Sequence, residues 1–382
     1  MSFDIKTLDG IIISVEQSLV VPDSKWRLFD KSTVQLPFMT FEWCSAWLAQ
    51  NADDFGISPL IVTGTDGEGK TLFILPLQKR RTRGLIIVEW LGQQGNSACS
   101  GIFNSTFSGE AWFAENFANL MKLVGPVDAI NLRNMPATLT GTSSPLASLH
   151  LAEAANASFV TALQPDYELL LRQKRSSRSI SKIRRRDLRL EESGVLSVQV
   201  LEGDAAIDAV VEGLKHKNAQ LKQAGVGDVF TEKNENHYKQ ILTDAPKMLQ
   251  VFKLQLDGET IATMIGAKSG SVFWLLISAL APDANLQFSP GDYLLRRTIA
   301  HCCAAGVRSF DFCLGDQEYK QLWADQRVPH FNYIRAQKLR ALPFVTALKS
   351  VEAVKRLVKK NVSVRDAFYM LRRYLRGTQT KP

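Results

Sequence analysis

The sequence predicts an α/β (α+β) protein in which one folding unit occurs twice. Each half of the chain contains two β-like runs joined by an Asp-Gly turn. In each half a third strand, a helix, a glycine stop and one more strand follow in the same order. Asp-Gly between hydrophobic runs is a strong hairpin signal. We therefore expect mixed central sheets flanked by helices, repeated in tandem.

The first copy has its turn at Asp66-Gly67. Its other elements are predicted, in order, as strands at 59–65, 70–77 and 85–91, a helix at 111–123, the stop Gly125 and a strand that begins at Val127.

The second copy has its turn at Asp257-Gly258. Its other elements are predicted, in order, as strands at 249–256, 260–267 and 271–279, a helix at 292–304, the stop Gly306 and a strand that begins at Val307. Between the copies the pattern predicts a strand at 158–164, a basic helix at 172–190 and a helix at 205–224.

The length and the hydrophobic spacing suggest how the chain divides. A chain of 382 residues exceeds what one ordinary core holds, so at least two domains are expected. The repeat places them at 1–157 and 158–340. Residues 341–382 then form a tail with apolar side chains at helical spacing, and Ser363 with Asp366 resembles a capping box within it.

The net charge of +8 is concentrated in two segments. Residues 172–190 hold nine Lys or Arg and one Asp, and residues 341–382 hold ten Lys or Arg and two acids. The rest of the chain is therefore acidic, with a net charge of −8. Such asymmetry indicates local contacts with anions rather than a general affinity for nucleic acid.

Other features narrow the class of protein. The chain has no uncharged run of 18 apolar residues, and its start carries Asp4 and Asp9 without an apolar signal segment. Its five cysteines are odd in number and show no metal-ligand spacing. We expect a cytoplasmic protein with reduced thiols and no metal site.

Four stretches together resemble the GNAT acyltransferase superfamily, and more narrowly its cellulose-biosynthesis-associated, CelD-like acetyltransferases. The most specific are "SPGDYLL" at Ser289–Leu295 and "FDFCLGDQEYKQLWA" at Phe310–Ala324. "PFMTFEWCSAWL" at Pro37–Leu48 and "SISKIRRRDLRLEESG" at Ser179–Gly194 are similar to two of that family's helices. The resemblance covers roughly residues 10–340. It implies two tandem GNAT-like domains, the first one degenerate.

The resemblance implies an acyl-CoA cosubstrate, acetyl-CoA or a longer thioester, whose pyrophosphate rests on the start of the 292–304 helix. Free N–H groups and the helix dipole attract anions there. The predicted binding residues are Ser289, Pro290, Gly291, Asp292 and Arg296. The alternative is a plain helix start, with Arg296 in solvent.

Three residues in the last block are candidates for catalysis. Strand alternation sets Asp311 on the face opposite Phe310 and Phe312, where a carboxylate must be paired or have a shifted pKa. Asp311 then orients a catalytic group or accepts a proton from an amine; alternatively, it caps a loop or pairs with Lys320. The resemblance implies that Tyr319 protonates the departing thiolate and that Lys320 stabilises the oxyanion.

We expect an N-acyltransferase that acts on a small-molecule or glycan amine in exopolysaccharide or cellulose-type polysaccharide biosynthesis. The tandem order is also similar to the peptidoglycan-bridge aminoacyl transferases, for which the donor would be aminoacyl-tRNA. A non-catalytic scaffold in polysaccharide export is a third alternative.

Two basic segments indicate possible partners. The helix at 172–190 can bracket coenzyme phosphates, bind an acyl-carrier protein or tRNA, or lie solvated on the acidic body. The tail at 341–382 can lie on an anionic membrane surface at the inner face of the cell membrane. Nucleic acid is an expected partner only if the donor is aminoacyl-tRNA.

Overall fold

A computed structural model describes residues 4–19, 23–32, 36–139, 141–150 and 152–360. Its strands are β1 (Asp4–Leu8), β2 (Ile11–Glu16), β3 (Ile57–Thr65), β4 (Thr71–Thr82), β5 (Leu85–Trp90), β6 (Ile102–Phe103), β7 (Ala129–Pro136), β8 (Thr138–Leu139), β9 (Thr142–Ser143), β10 (Ala152–Ala162), β11 (Leu196–Leu201), β12 (Leu249–Leu256), β13 (Glu259–Ser269), β14 (Val272–Leu280), β15 (Ser309–Leu314) and β16 (Gln326–Ala336). Its helices are α1 (Asp23–Ser32), α2 (Phe41–Phe55), α3 (Glu110–Leu123), α4 (Tyr167–Lys174), α5 (Ser177–Glu191), α6 (Ile207–Gln223), α7 (Glu232–Asp244), α8 (Pro290–Ala304), α9 (Glu318–Trp323) and α10 (Leu342–Lys360).

The chain divides into two compact units. Unit 1 comprises residues 1–157 and 328–382, and unit 2 comprises residues 158–327. The first boundary coincides with the predicted one. The second differs, because 328–340 belongs with unit 1 and not with the second copy.

The predicted repeat is present as two copies of one topology. In unit 1 the hairpin β3–β4 leads to β5, then to α3, and then to β7, which pairs parallel with β5. In unit 2 the hairpin β12–β13 leads to β14, then to α8, and then to β15, which pairs parallel with β14. The predicted fold class, two tandem α/β units with mixed sheets flanked by helices, is therefore confirmed.

Each unit also contains a strand that lies outside the repeated order of elements. Next to β7 in unit 1 runs β16, with His330 opposite Pro136 and Ala336 opposite Ala129. Next to β15 in unit 2 runs the second half of β10, with Ala162 opposite Ser309. The pairing of β16 with β7 accounts for the difference at the second boundary, because these ladder hydrogen bonds join residues 330–336 to unit 1.

Buried aromatic and aliphatic side chains hold unit 2 together around α8. Phe310 and Phe312 of β15 are fully buried and join Phe273 of β14 and Leu294 of α8 in one cluster. Burying each such side chain contributes about 1.5–3 kcal/mol. Because the two phenylalanines share one face of β15, Asp311 faces the other way, as the alternation predicts.

The segment after β16 packs on unit 1. Val345 of α10 lies in a cluster with Ile87 and Ile334, and Arg340 donates two hydrogen bonds to the fully buried carboxylate of Asp128, at 2.9 and 2.6 Å. These bonds hold the pKa of Asp128 well below its usual range. The predicted helix is present at 342–360, and this part of the predicted tail packs on unit 1. The predicted capping box at Ser363 and Asp366 lies outside the described residues.

Two further details differ from the predicted elements. The basic helix predicted at 172–190 is two helices, because Ser176 caps a new one by accepting a hydrogen bond from the Ser179 N–H. Helix α7 was not predicted. No helix in the described ranges has the length and apolar character that crossing a membrane requires.

Candidate active site

The parallel strands of unit 2 separate part-way along their length. Strands β14 and β15 are paired only from Val272–Ser309 to Trp274–Asp311. Beyond that point β14 continues to Leu280 beside β13, and β15 continues to Leu314 beside β10. A wedge therefore opens between the carboxyl-terminal halves of β14 and β15. We call this the unit 2 wedge.

Two further segments begin at the edge where the wedge opens. Helix α8 starts ten residues after the end of β14, and α9 follows β15 directly through "GDQ". The carboxyl ends of parallel strands lie at the same edge of a sheet, which is where ligands bind in open α/β sheets. The predicted binding residues and the predicted catalytic residues thus come to one edge of unit 2.

Asp311 is the last residue of β15 that pairs with β14; the residue as a whole is partly exposed, but its carboxyl group is buried. Burial of the carboxyl group raises its pKa to about 7, although the Cys313 N–H and the charge of Lys320 act in the opposite direction. The Cys313 N–H donates to Asp311 Oδ1 at 2.7 Å. Cys313 has φ 57°, a left-handed conformation that costs free energy in a residue other than glycine. The strand therefore bends where it presents this carboxyl group.

Lys320 is buried, with 5% of its surface exposed. Its Nζ donates to the carbonyl oxygens of Leu314 at 2.7 Å and Cys313 at 3.4 Å. Burial lowers its pKa. An ammonium group has three donors, so one remains without a partner in the described part of the chain. The predicted alternative of a direct ion pair with Asp311 is not what the structure shows for these two side chains.

A second lysine, which the sequence did not single out, comes from α6. Lys217 Nζ donates to the carbonyl oxygen of Ser278 on β14 at 2.8 Å, and burial lowers its pKa. Its charge also lowers the pKa of Lys320. One amine is therefore hydrogen-bonded to each of the two separating strands, and both contribute positive charge to the unit 2 wedge. Lys217 precedes β15 by about 90 residues, so no local pattern connects it with Lys320.

Two tyrosines lie beside Cys313. Burial raises the pKa of Tyr319 to about 12 and also raises that of Tyr238 on α7, and Cys313 adds to both shifts. The ring of Tyr319 meets that of Phe312 edge to face, with centroids 6.3 Å apart. Both phenols therefore remain protonated at neutral pH and can act as hydrogen-bond donors.

The start of α8 has the features expected of an anion site. Ser289 precedes the helix with φ 52°, in the left-handed region, and Pro290 occupies the first turn. Proline has no N–H, and the N–H of Gly291 has no partner among the described residues. A Cβ on Gly291 would lie 3.3 Å from Leu280 Cδ2, so the glycine also lets β14 approach the helix.

Helix α5 contacts this helix start through Arg186. Its guanidinium donates to Ser289 Oγ at 3.0 Å and to Asp292 Oδ2 at 3.2 Å. Asp292 also accepts from Arg296 Nε at 3.3 Å. Arg296 makes two further bonds with Asp187 at 2.7 and 2.5 Å, and only 8% of its side chain is exposed. Arg296 therefore ties α8 to α5, an arrangement that favours an internal role over contact with a ligand.

A cavity of about 560 Å³ lies where α5 meets the start of α8. Five cationic side chains and one carboxylate line it: Arg175, Lys182, Arg185, Arg186, Arg189 and Asp292. We call this the basic groove. The sequence indicated that residues 172–190 are basic, but it did not show that their side chains meet the start of α8.

The corresponding space in unit 1 is filled by the protein itself. Strands β5 and β7 are paired at Ile87–Ala129 and Val88–Ile130. Past these two paired positions, the Gln93 side chain accepts a hydrogen bond from the Arg133 N–H at 3.3 Å, and the Cys99 N–H donates to the Asn134 carbonyl at 3.0 Å. The loop after β5 thus occupies the edge of β7 that β15 leaves open.

At the position of unit 1 that corresponds to Asp311 in unit 2, the structure has a buried polar network. Counted from Val127 and Val307, Asn131 occupies the position of Asp311. Asn131 donates to Glu89 at 2.8 Å, and Arg80 binds the same carboxylate at 2.8 and 2.9 Å. Burial opposes ionisation of Glu89, but these bonds outweigh it and hold its pKa below the usual value.

A comparison with protein families assigns part of this unit. Residues 176–321 match the family described as "Acetyltransferase (GNAT) domain". This segment is therefore similar to GNAT acetyltransferase domains. It holds α5, the start of α8 and the candidates Asp311, Tyr319 and Lys320, and the protein is an acyltransferase. No curated protein matches the chain.

Solved structures show the same fold at low sequence identity. FemX is 13% identical, with a TM-score of 0.58, over 84% of this chain and 98% of that one. The C-terminal domain of a putative lysylphosphatidylglycerol synthetase from Agrobacterium fabrum is 12% identical, with a TM-score of 0.53, over 88% of this chain and 96% of that one. A conserved protein of unknown function from Bacteroides thetaiotaomicron is 9% identical, with a TM-score of 0.51, over 84% and 98%. These likenesses extend over both units and concern the fold.

Proposed function

We propose that the chain transfers an acyl group from an acyl-CoA thioester to an amine, and that unit 2 carries out the reaction. The observation that carries the proposal is the unit 2 wedge, at whose edge lie the Asp311 carboxyl group, with a pKa of about 7, the buried Lys320 and the half-buried Lys217. Burial lowers the pKa of both lysines. Perturbed groups of this kind cluster at functional sites. The acyl chain is acetyl or longer.

Asp311 is the proposed base. The amine nitrogen attacks the thioester carbonyl carbon, the C–S bond breaks, and the proton that the amine loses passes to Asp311. A base works best when its pKa is near the working pH, and a carboxyl group with its ordinary pKa near 3.9 would accept protons poorly at pH 7. The raised pKa of Asp311 therefore suits this step.

Lys320 is the proposed partner of the oxyanion. Two of its donors hold the carbonyls at the end of β15, which fixes the ammonium group in place before substrate arrives. The remaining donor can then meet the carbonyl oxygen as it becomes negative in the tetrahedral intermediate. Such preorganised donors stabilise the transition state more than the ground state.

Tyr319 is proposed to act on the sulfur, with one refinement of the predicted role. A thiol has a pKa near 8.5, whereas the Tyr319 phenol has a pKa of about 12. Proton transfer from Tyr319 to the thiolate is therefore uphill. We propose that its hydroxyl donates a hydrogen bond to the departing sulfur and keeps its proton.

The donor is proposed to bind along α8. Ser289, Pro290, Gly291 and Asp292 form the helix start on which its pyrophosphate rests, and Arg186 adds a cation there. Arg296 supports this arrangement through Asp187 and Asp292.

Aminoacyl-tRNA is the second candidate donor. The structural likeness to FemX and to a putative lysylphosphatidylglycerol synthetase domain, together with the basic groove, supports aminoacyl-tRNA about as strongly as acyl-CoA. Both donors place an activated acyl ester or thioester before an amine, so the same residues serve either reaction.

The acceptor and the cellular setting are further proposals. A glycan or amino-sugar acceptor in cellulose-type or exopolysaccharide synthesis rests on the CelD-like blocks at 289–295 and 310–324. A cytoplasmic location with contact to an anionic membrane rests on the basic charge of 341–382. Leu357, which is 66% exposed, and other exposed apolar residues of α10 support such contact.

The experiment that tests the donor is thermal unfolding with and without acetyl-CoA, for wild type, Gly291→Glu and Gly291→Ala. Ligand at 100 times its Kd stabilises the folded state by about 2.7 kcal/mol, which raises Tm by several degrees. Wild type and Gly291→Ala should gain this shift. Gly291→Glu should unfold at the unliganded Tm whether or not acetyl-CoA is present, because its carboxylate repels phosphates. A wild-type shift with aminoacyl-tRNA but with no acyl-CoA would contradict the proposal and favour the second donor.

A further inference from the structure

The basic groove has more positive charge than a diphosphate at the α8 start requires. Its single carboxylate, Asp292, is already bound by Arg186 and by Arg296. Lys182, Arg185 and Arg189 have no carboxylate partner among the described residues. Arg175 is held by other means: it donates to the Leu322 carbonyl and stacks 4.7 Å above the Trp323 ring.

The arrangement of these cations follows from the helix. Lys182, Arg186 and Arg189 are spaced four and three residues apart, so they lie on one face of α5. Ile183 and Ile180 are buried and anchor that helix on unit 2. The cations therefore point from a fixed helix toward a cavity of about 560 Å³, a size typical of small-molecule sites.

We propose that the basic groove binds the 3′-phosphomonoester of coenzyme A, so that the enzyme distinguishes coenzyme A from 3′-dephospho-coenzyme A. This inference rests on the proposed function, since it concerns the donor of that reaction. Arg186 serves the diphosphate at the helix start, and Lys182, Arg185 and Arg189 serve the second phosphate group.

Charge balance supports this ligand. With Arg186 and Asp292 neutralising each other, Arg175, Lys182, Arg185 and Arg189 leave about four positive charges in the groove. Coenzyme A carries about four negative charges at neutral pH, about two of them on the 3′-phosphate. Without that phosphate, half of the groove charge would have no counterpart, and the uncompensated cations would repel one another.

The test is titration calorimetry of wild-type enzyme with coenzyme A and with 3′-dephospho-coenzyme A. We expect coenzyme A to bind at least about tenfold more tightly, which is the effect of one charge-assisted hydrogen bond. The preference should weaken as salt is raised, because the cations are exposed. Equal affinity of the wild-type enzyme for the two nucleotides would overturn the inference while leaving the proposed donor intact.

Two variants show where the preference originates. The combined substitution Lys182→Gln, Arg185→Gln and Arg189→Gln should bring the affinity ratio close to one, while 3′-dephospho-coenzyme A still binds as it does to wild type. Arg178→Gln is the matched control, because Arg178 is exposed on the same helix but does not line the groove. A full preference in the combined variant, or its loss in Arg178→Gln, would overturn the assignment.

A further arm separates the two donors. If neither nucleotide binds but deacylated tRNA does, and the combined variant loses tRNA binding, both this inference and the acyl-CoA donor are overturned. If coenzyme A binds with the expected preference and tRNA does not compete with it, the groove is a coenzyme site.

Discussion

The two units use the same strand topology but treat the space between their parallel strands in opposite ways. In unit 1 the loop after β5 occupies the edge of β7, and the Glu89 carboxylate is fully committed to hydrogen bonds. In unit 2 the strands separate, and Asp311 is held by a single backbone N–H with its pKa raised to about 7. Satisfied polar groups stabilise a fold, whereas unsatisfied ones are available to a substrate. The comparison supports the proposal that unit 2 is catalytic and unit 1 structural.

The largest expected effect is on turnover in unit 2. Lys320→Met keeps the buried stem of the side chain but removes the ammonium group, so kcat should fall by about 10²-fold, the scale of a lost oxyanion donor. Affinity for acyl-CoA should be nearly kept, because the interaction forms mainly in the transition state. The measurement is acceptor-dependent release of coenzyme A thiol over a panel of amino sugars and nucleotide-linked amino sugars.

Lys79→Met in unit 1 is the control for that substitution. Lys79 lies on β4, and burial lowers its pKa as it does for Lys320. Its replacement should leave kcat unchanged. If Lys79→Met lowered kcat as much as Lys320→Met, the division of roles between the units would be wrong.

The next largest effect is on stability in unit 1. Glu89→Gln removes the charge that Arg80 and Asn131 bind, and should lower the free energy of unfolding by about 1–3 kcal/mol at pH 7. Because the folded pKa of Glu89 is lowered, its ionised form contributes stability above the unfolded pKa of about 4.3. The difference in Tm between wild type and Glu89→Gln should therefore shrink as pH falls below about 4. A difference that is independent of pH would contradict the role of the charge.

Asp311→Asn should show a stability effect of the opposite sign. The folded pKa of Asp311 is raised, so the folded state binds its proton more tightly than the unfolded state does. Wild type consequently loses stability as pH rises from about 4 to about 7, and the Asn variant is spared this loss. Calorimetric Tm values at pH 5 and pH 8 should show Asp311→Asn gaining relative to wild type at the higher pH. A constant difference would mean that Asp311 is not protonated near neutrality.

Local patterns predicted much of the fold and part of the site. The Asp-Gly turns and the glycine stops at Gly125 and Gly306 fix where elements begin and end, and strand alternation placed Asp311 opposite the core. Asp311 and Lys320 lie close in sequence, so their meeting at one edge could be foreseen.

What the sequence did not predict depends on contacts between distant segments. Strand β16 was not predicted, and its pairing with β7, about 200 residues earlier in the chain, is a contact that no local pattern reveals. Lys217 and Arg186 look like ordinary helix cations until the fold brings one to Ser278 and the other to Ser289. The start of α5 was missed although Ser176 provided a capping signal.

The pH dependence of acyl transfer tests the central claim most directly, because it reports the proton transfer assigned to Asp311. For wild type, kcat/KM should rise with pH and level off above an apparent pKa of about 7, and Asp311→Asn should lose that limb together with most of its rate. The limb could reflect titration of Asp311 or of the acceptor amine, and two acceptors whose amines differ in pKa distinguish these origins. If Asp311 titrates, the midpoint of the limb should lie at the same pH for both acceptors. A limb that moves with the acceptor, or an Asp311→Asn enzyme with the wild-type rate and profile, would contradict the account.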